Sequence, residues 1–216
     1  VTTATTLICA HRGASARLPD NSLAAFEAAI AVGADMIEAD VRRLADSTLV
    51  LSHDSAPAGS TPVRLDDLLH LAAGRIALDL ELKEAGYEER VLEAVEPRPP
   101  GLILTSFLSS ALATLRELDP DVTTGLLVGP GDDGHDLPGR AAACGAQLLC
   151  PHVSLLTDAL RSAAAGSWPL VVWTVNEPGD LSELLRDPAV GCVITDEPAL
   201  AIAIREGLAG QSPAGA

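Results

Sequence analysis

Short runs rich in Val, Ile and Leu alternate along the chain with longer stretches of helical period. The runs predict strands over Leu7–Ala10, Asp35–Val41, Arg75–Leu82, Leu102–Ser106, Thr124–Val128, Gln147–Cys150, Leu170–Val175 and Cys192–Thr195. Helices are predicted near Ser22–Val32, Leu65–Ala73, Tyr87–Val95, Ser109–Leu118, Pro138–Cys144, Leu155–Ala165, Gly179–Leu185 and Ala199–Glu206. Asn21 is placed to cap the first helix and Gly33 to end it, while Pro178 and Pro198 stand near helix starts. Strict alternation of strand and helix reads as an α/β protein, a (β/α)8 TIM barrel. A doubly wound open sheet is the alternative, but no G-x-G-x-x-G follows the first strand. With no linker in sight, residues 1–216 read as one domain with a tail, from about residue 207, expected to fray.

One segment breaks the alternation. After Val41, the turn Arg42-Arg43-Leu44-Ala45-Asp46-Ser47 leads into a second extended run, Thr48 to Asp54. That run predicts an extra short hairpin strand after strand 2, folded over the barrel mouth with His53 aimed at the centre.

Composition then narrows the function. The 216 residues carry 14 basic and 30 acidic side chains, a net charge of −16, which disfavours nucleic acid and anionic bilayers. No apolar run approaches the roughly 18–20 residues of a membrane span, so no stable membrane insertion is expected. Aromatic side chains are few (Phe26, Tyr87, Phe107, Trp168, Trp173), leaving no stacking surface for single strands. Cys9, Cys144, Cys150 and Cys192 show no C-x-x-C spacing and read as buried free thiols of a reducing compartment. A cytoplasmic location is therefore expected, with a cleaved signal peptide left open by a chain that does not begin with Met. A homodimer is likewise left open.

Active sites of such barrels lie at the carboxyl ends of the strands. The first strand ends in His11-Arg12-Gly13. The second carries Glu38 and Asp40 on one face and Ile37, Ala39 and Val41 on the other. In the third, Asp79, Glu81 and Lys83 oppose a face of leucines, so the polar face is expected to point into the barrel. Converging carboxylates are costly to bury without a cation. An all-oxygen set suits one hard divalent ion, Mg²⁺ or Ca²⁺; a salt-bridge cluster with Arg12 and Lys83 is the alternative. Lys83 is the only lysine among the basic residues, and a compact ammonium suits a point contact to a phosphate oxygen. Two histidines at one rim, His11 and His53, can serve as general base and general acid. His70 and His135 read as solvated; His152, after the sixth strand, reads as a surface-loop residue, with substrate contact as the alternative.

The segment AHRGASARLPDNSLAAFEAAIAVGADMIEADVRRLADSTLVLSHD resembles the opening signature of the glycerophosphodiester phosphodiesterase family. The likeness continues in family order with LDLELK, TSF at 105–107, VVWTVN at 171–176 and ITDEP at 194–198. The resemblance implies a TIM barrel in which His11 and His53 form the acid–base pair. It implies that Glu38, Asp40 and Glu81 hold a divalent metal, that Arg12 and Lys83 contact the phosphate, and that Trp173 lines the pocket. Departures stand beside it. The family's Pro-Glu-Asn-Thr reads Pro19-Asp20-Asn21-Ser22, its Asp-Gly turn reads Asp46-Ser47, and the insertion usual after the His-Asp pair is trimmed.

The resemblance also implies hydrolysis of glycerophosphodiesters, such as glycerophosphocholine or glycerophosphoethanolamine, to glycerol 3-phosphate and an alcohol. Two alternatives stay open: a lysophospholipid or sphingomyelin phosphodiesterase forming a cyclic phosphate, which the trimmed insertion would favour, and a catalytically silent barrel that binds a phosphodiester.

Overall fold

In the computed structural model, which describes residues 5–55, 61–164 and 169–209, eight parallel strands close on themselves. They are β1 (Leu7–His11), β2 (Met36–Arg43), β4 (Ala77–Leu82), β5 (Ile103–Ser106), β6 (Thr123–Val128), β7 (Leu148–Pro151), β8 (Leu170–Val172) and β9 (Val190–Thr195). Pairing of β1 with both β9 and β2 completes the circle. The ninth strand, β3 (Leu49–Leu51), runs antiparallel to β2 with Val41 opposite Leu51, so the predicted hairpin is present. Helices α1 (Leu23–Ala31), α2 (Leu65–Ala72), α3 (Glu88–Ala94), α4 (Ser109–Leu118), α5 (Leu137–Ala143), α6 (Asp158–Ala164), α7 (Pro178–Leu184) and α8 (Pro198–Ala209) alternate with the parallel strands. The fold is a (β/α)8 barrel with one added strand.

Alternation along each strand divides the buried side chains into two cores. Outward-facing Ile8, Ala10, Ile37, Ala39, Leu78, Leu80 and Leu104 pack with Phe26, Leu68, Val91 and Leu112 of the helices. A fully buried side chain of this kind contributes about 1.5–3 kcal/mol, so this shell carries most of the stability. Inward-facing Cys9, Met36, Leu127, Cys150, Val171, Cys192 and Ile194 fill the barrel itself. Close packing there demands a glycine at 125, where a Cβ would meet Cys150 Sγ at 2.8 Å and Thr105 Cγ2 at 3.0 Å. All four cysteines are buried free thiols, as their spacing predicted.

Several local expectations are corrected. Ser22, not Asn21, caps α1, its hydroxyl accepting from Ala25 N at 3.2 Å. Asn21 is instead buried in the left-handed region (φ 51), its amide spent on Asp40. The helix predicted from Leu155 begins at Asp158, because Val153–Leu155 forms a separate 3-10 turn capped by His152. Strand β8 stops at Val172, beyond which Trp173 bridges to His152. Gly207 to Ala209, expected to fray, continue α8; residues 210–216, Trp168 and part of the loop between Asp54 and Arg75 lie outside the described residues. Gly33 does end α1, at φ 84. Pro178 and Pro198 open their helices.

Candidate active site

Strand register builds the site. On β2 and β4, Glu38 lies opposite Asp79 and Asp40 opposite Glu81, while His11 of β1 lies opposite Glu38. Four carboxylates therefore project into the barrel from two adjacent strands, at its carboxyl end. Above them opens a cavity of about 130 Å³, lined by His11, Arg12, Glu38, His53, Asp79, Glu81, Lys83, Thr105, Phe107, Leu127, Trp173 and Ile194. Asp40 sits just behind this wall, fully buried. The residues singled out from the sequence thus surround one cavity.

Charge balance in the cluster is incomplete. Arg12 Nε lies 3.0 Å from Asp40 Oδ2, and Lys83 Nζ lies 3.2 Å from Asp40 Oδ1 and 2.7 Å from Glu81 Oε1. Burial opposes ionisation of Asp40, but Lys83, Arg12 and the Asn21 amide (2.8 Å) outweigh it and lower its pKa. Burial pushes Glu38 well up, reinforced by the charges of Asp40, Glu81 and Asp79. Burial also raises Glu81, with Lys83 pulling the other way. Asp79 is pushed up to about 7 by burial, against a 2.7 Å hydrogen bond from Thr105 Oγ1.

Two basic side chains do not neutralise four carboxylates in a low-dielectric site. Glu38, Asp40 and Glu81 each offer an oxygen within 4.8 Å of the others. Glu38 Oε1, Asp40 Oδ1 and Glu81 Oε1 are buried without an aligned hydrogen bond. Oxygen donors so gathered fit a hard divalent cation, and the cluster could hold one.

The β1–α1 loop shapes the other side. Arg12 (φ 56) and Gly13 (φ 86) turn the chain sharply, so that Arg12 N donates to Glu38 Oε2 at 3.0 Å. A Cβ on Gly13 would strike Ala25 C at 2.6 Å, so the turn needs glycine both for its φ and for its contact with α1. Arg12 also reaches Asp20 Oδ2 at 3.3 Å, the shorter acid noted in the sequence.

His11 has a partner that sequence reading missed. Its Nδ1–H donates to Asp196 Oδ1 at 2.6 Å, leaving Nε2 on the cavity side, 3.9 Å from Glu38 Oε2. Asn176 Nδ2 donates to Asp196 Oδ2 at 2.6 Å, and Ser15 Oγ lies 2.9 Å from Oδ1. Burial works against the Asp196 carboxylate, yet these hydrogen bonds bring its pKa down to about 2. Asn176 and Asp196 lie within VVWTVN and ITDEP, blocks that carry family likeness but had no role assigned to these two residues.

His53 sits two residues beyond β3, half-exposed, with Nδ1 3.0 Å from Asp54 Oδ1. Trp173 is fixed by donation from Nε1 to Cys150 O at 2.8 Å and meets Phe107 and His152 edge-on, at ring separations of 5.5 and 5.1 Å. His152 therefore supports the wall through Trp173 without lining the cavity, and burial lowers its pKa. His70 and His135 are exposed on the surface.

A closed barrel that gathers two imidazoles, a carboxylate cluster and two basic groups at one mouth has the chemistry a phosphate ester would need. The profile of the glycerophosphoryl diester phosphodiesterase family matches residues 11–89 and 78–200. The chain belongs to that family and is a phosphoric diester hydrolase. A glycerophosphodiester phosphodiesterase from Caldanaerobacter subterraneus is 26% identical over 235 positions, covering 89% of this chain and 95% of that one. Those positions outnumber this chain's 216 residues, so the relative carries extra residues inside the matched span. A solved structure from Silicibacter pomeroyi superposes with a TM-score of 0.84 at 25% identity, over 95% of each chain. An Oleispira antarctica phosphodiesterase, solved with the product sn-glycerol-3-phosphate, shares the fold (TM-score 0.82, 21% identity, 94% of this chain and 97% of that one). Among the described residues, no helix is long and apolar enough to cross a membrane.

Proposed function

We propose that the chain hydrolyses glycerophosphodiesters, among them glycerophosphocholine and glycerophosphoethanolamine, to glycerol 3-phosphate and an alcohol. The observation that carries this reading is the meeting of His11 and His53 at one cavity above the Glu38–Asp40–Glu81 cluster, with Arg12 and Lys83 beside it. Glu38, Asp40 and Glu81 would hold one Mg²⁺ or Ca²⁺, which when bound offsets the charge of the phosphodiester and of its transition state. Arg12 and Lys83 would bind the phosphoryl oxygens, and Trp173 with Phe107 would pack against the organic part of the substrate.

His11, its Nδ1 engaged by Asp196, presents Nε2 as general base to the glycerol hydroxyl next to the phosphate. That oxygen attacks phosphorus, the bond to the leaving alcohol breaks, and His53 gives the departing alkoxide a proton. Water then opens the cyclic phosphate with the roles reversed: His53 takes the water proton and His11 returns one to the glycerol oxygen. Both histidines regain their starting states.

A second reading, cleavage of a lysophospholipid to a cyclic phosphate, is favoured by the apolar rim, where Phe107 and Leu108 are 43% and 39% exposed. Phosphorus NMR of products from glycerophosphocholine and from a lysophosphatidylcholine separates the two. Glycerol 3-phosphate from the first substrate, lost in His11→Ala and His53→Ala variants shown to be folded, supports the proposal. Turnover of the lysolipid alone, or full activity in both variants, overturns it.

A further inference from the structure

His53 is held from behind. The last ladder-like bond of its segment is Ser52 N donating to Asp40 O at 2.9 Å. Among the described residues, the imidazole's one hydrogen bond is with Asp54, whose side chain is 92% exposed. A ring 44% exposed, with so exposed a partner, takes its aim in large part from where its backbone is placed.

That backbone is gripped by Arg42. From the inward face of β2, two residues past Asp40, Arg42 donates twice to the His53 carbonyl oxygen, from Nε at 3.1 Å and Nη2 at 2.8 Å. Its remaining nitrogen, Nη1, pairs with Glu84 Oε1, one residue past Lys83. The Arg42 side chain is only 17% exposed, whereas the histidine it holds is 44% exposed. A planar guanidinium that spends one edge on the carbonyl and another on a carboxylate has little freedom to rotate, and an ammonium could not reproduce that fork.

We infer that Arg42, oriented by Glu84, is a positioning residue that aims His53 at the leaving group. The inference rests on the reading of His53 as general acid. Arg42 touches no reacting atom; its effect passes through the His53 carbonyl. The consequence is selective, because an alkoxide needs a proton on departure and a 4-nitrophenolate does not.

The test is single-turnover release of choline from glycerophosphocholine and of nitrophenolate from glycerol 4-nitrophenyl phosphate, with melting followed in parallel. Arg42→Ala is expected to slow choline release on the order of 10- to 100-fold, with a loss at least about tenfold smaller for nitrophenolate. Added guanidinium restores part of the choline rate, and Arg42→Lys keeps most of the deficit. Glu84→Gln, which leaves the arginine in place, shows a weaker form of the same selectivity and serves if Arg42→Ala does not fold. His53→Ala shows the same leaving-group pattern, and adding Arg42→Ala to it slows choline release no further. Equal losses for both leaving groups in Arg42→Ala and Glu84→Gln, or an undiminished Arg42→Ala effect in the His53→Ala background, overturn the clamp while His53 stands as acid. Equal losses for both leaving groups in His53→Ala itself overturn the acid, and the clamp with it.

Discussion

Replacing Asp196 by Asn probes the group that sets up the proposed base. Moving a carboxyl from 3.8 to about 2 corresponds to about 2.5 kcal/mol of preference for its ionised form. With the side chain 30% exposed, water screens part of this and leaves about 1–2 kcal/mol for stability. In a chain of this size that lowers the melting temperature by about 3–6 °C at pH 7. The sign follows from the lowered pKa: the stabilisation is complete above the unfolded value of about 3.9 and disappears as pH falls through about 2. Wild type and Asp196→Asn should therefore converge as the melt is taken towards pH 2.

Catalysis should suffer more than stability. An acceptor-only carboxylate holds the proton on His11 Nδ1 and keeps Nε2 free to accept one. An amide can donate to Nδ1 instead, which moves the proton to Nε2 and removes the base. The expected loss in kcat on glycerophosphocholine is on the order of 10²–10⁴, read by steady-state kinetics with saturating divalent cation. A folded Asp196→Asn variant with kcat within about threefold of wild type would refute this role for the His11–Asp196 contact.

Other outcomes rest on single features. Ser47 occupies the left-handed region at φ 70 in the turn between β2 and β3, a conformation that costs a residue with a Cβ about 1 kcal/mol. Ser47→Gly should raise the melting temperature by about 2–4 °C without changing kcat; an unchanged or lower midpoint contradicts the strain. Asp79, at about 7 in the fold against about 3.9 unfolded, keeps a proton the unfolded chain has released. Chelator-stripped protein should thus lose on the order of 2–4 kcal/mol as pH rises from 4 to 7. Asp79→Asn should flatten that slope in urea unfolding, and parallel slopes would show Asp79 already ionised in the native state.

The barrel was legible because its signal is local and repeated. Each β-branched run and each helical period is written within a few residues, and eight repeats leave few architectures. The inward carboxylates were legible for the same reason, since alternation on β2 and β4 assigns faces residue by residue. Asp196 was not, because its partner His11 lies 185 positions away and only closure of β9 against β1 brings them together. Arg42 escaped for a related reason: on sequence it is one more arginine in a hairpin turn. Asn21 shows the converse. A residue type suited to capping was diverted to Asp40, and tertiary demand overrode local preference.

The central claim is a metal-supported cleavage of glycerophosphodiesters, and chelator-stripped protein tests it most directly. Incubated with glycerophosphocholine, it should release no glycerol 3-phosphate until Mg²⁺ or Ca²⁺ is restored, and Asp40→Asn should not recover under the same addition. Full turnover in the presence of chelator, or silence with either ion in protein shown to be folded, would contradict the account.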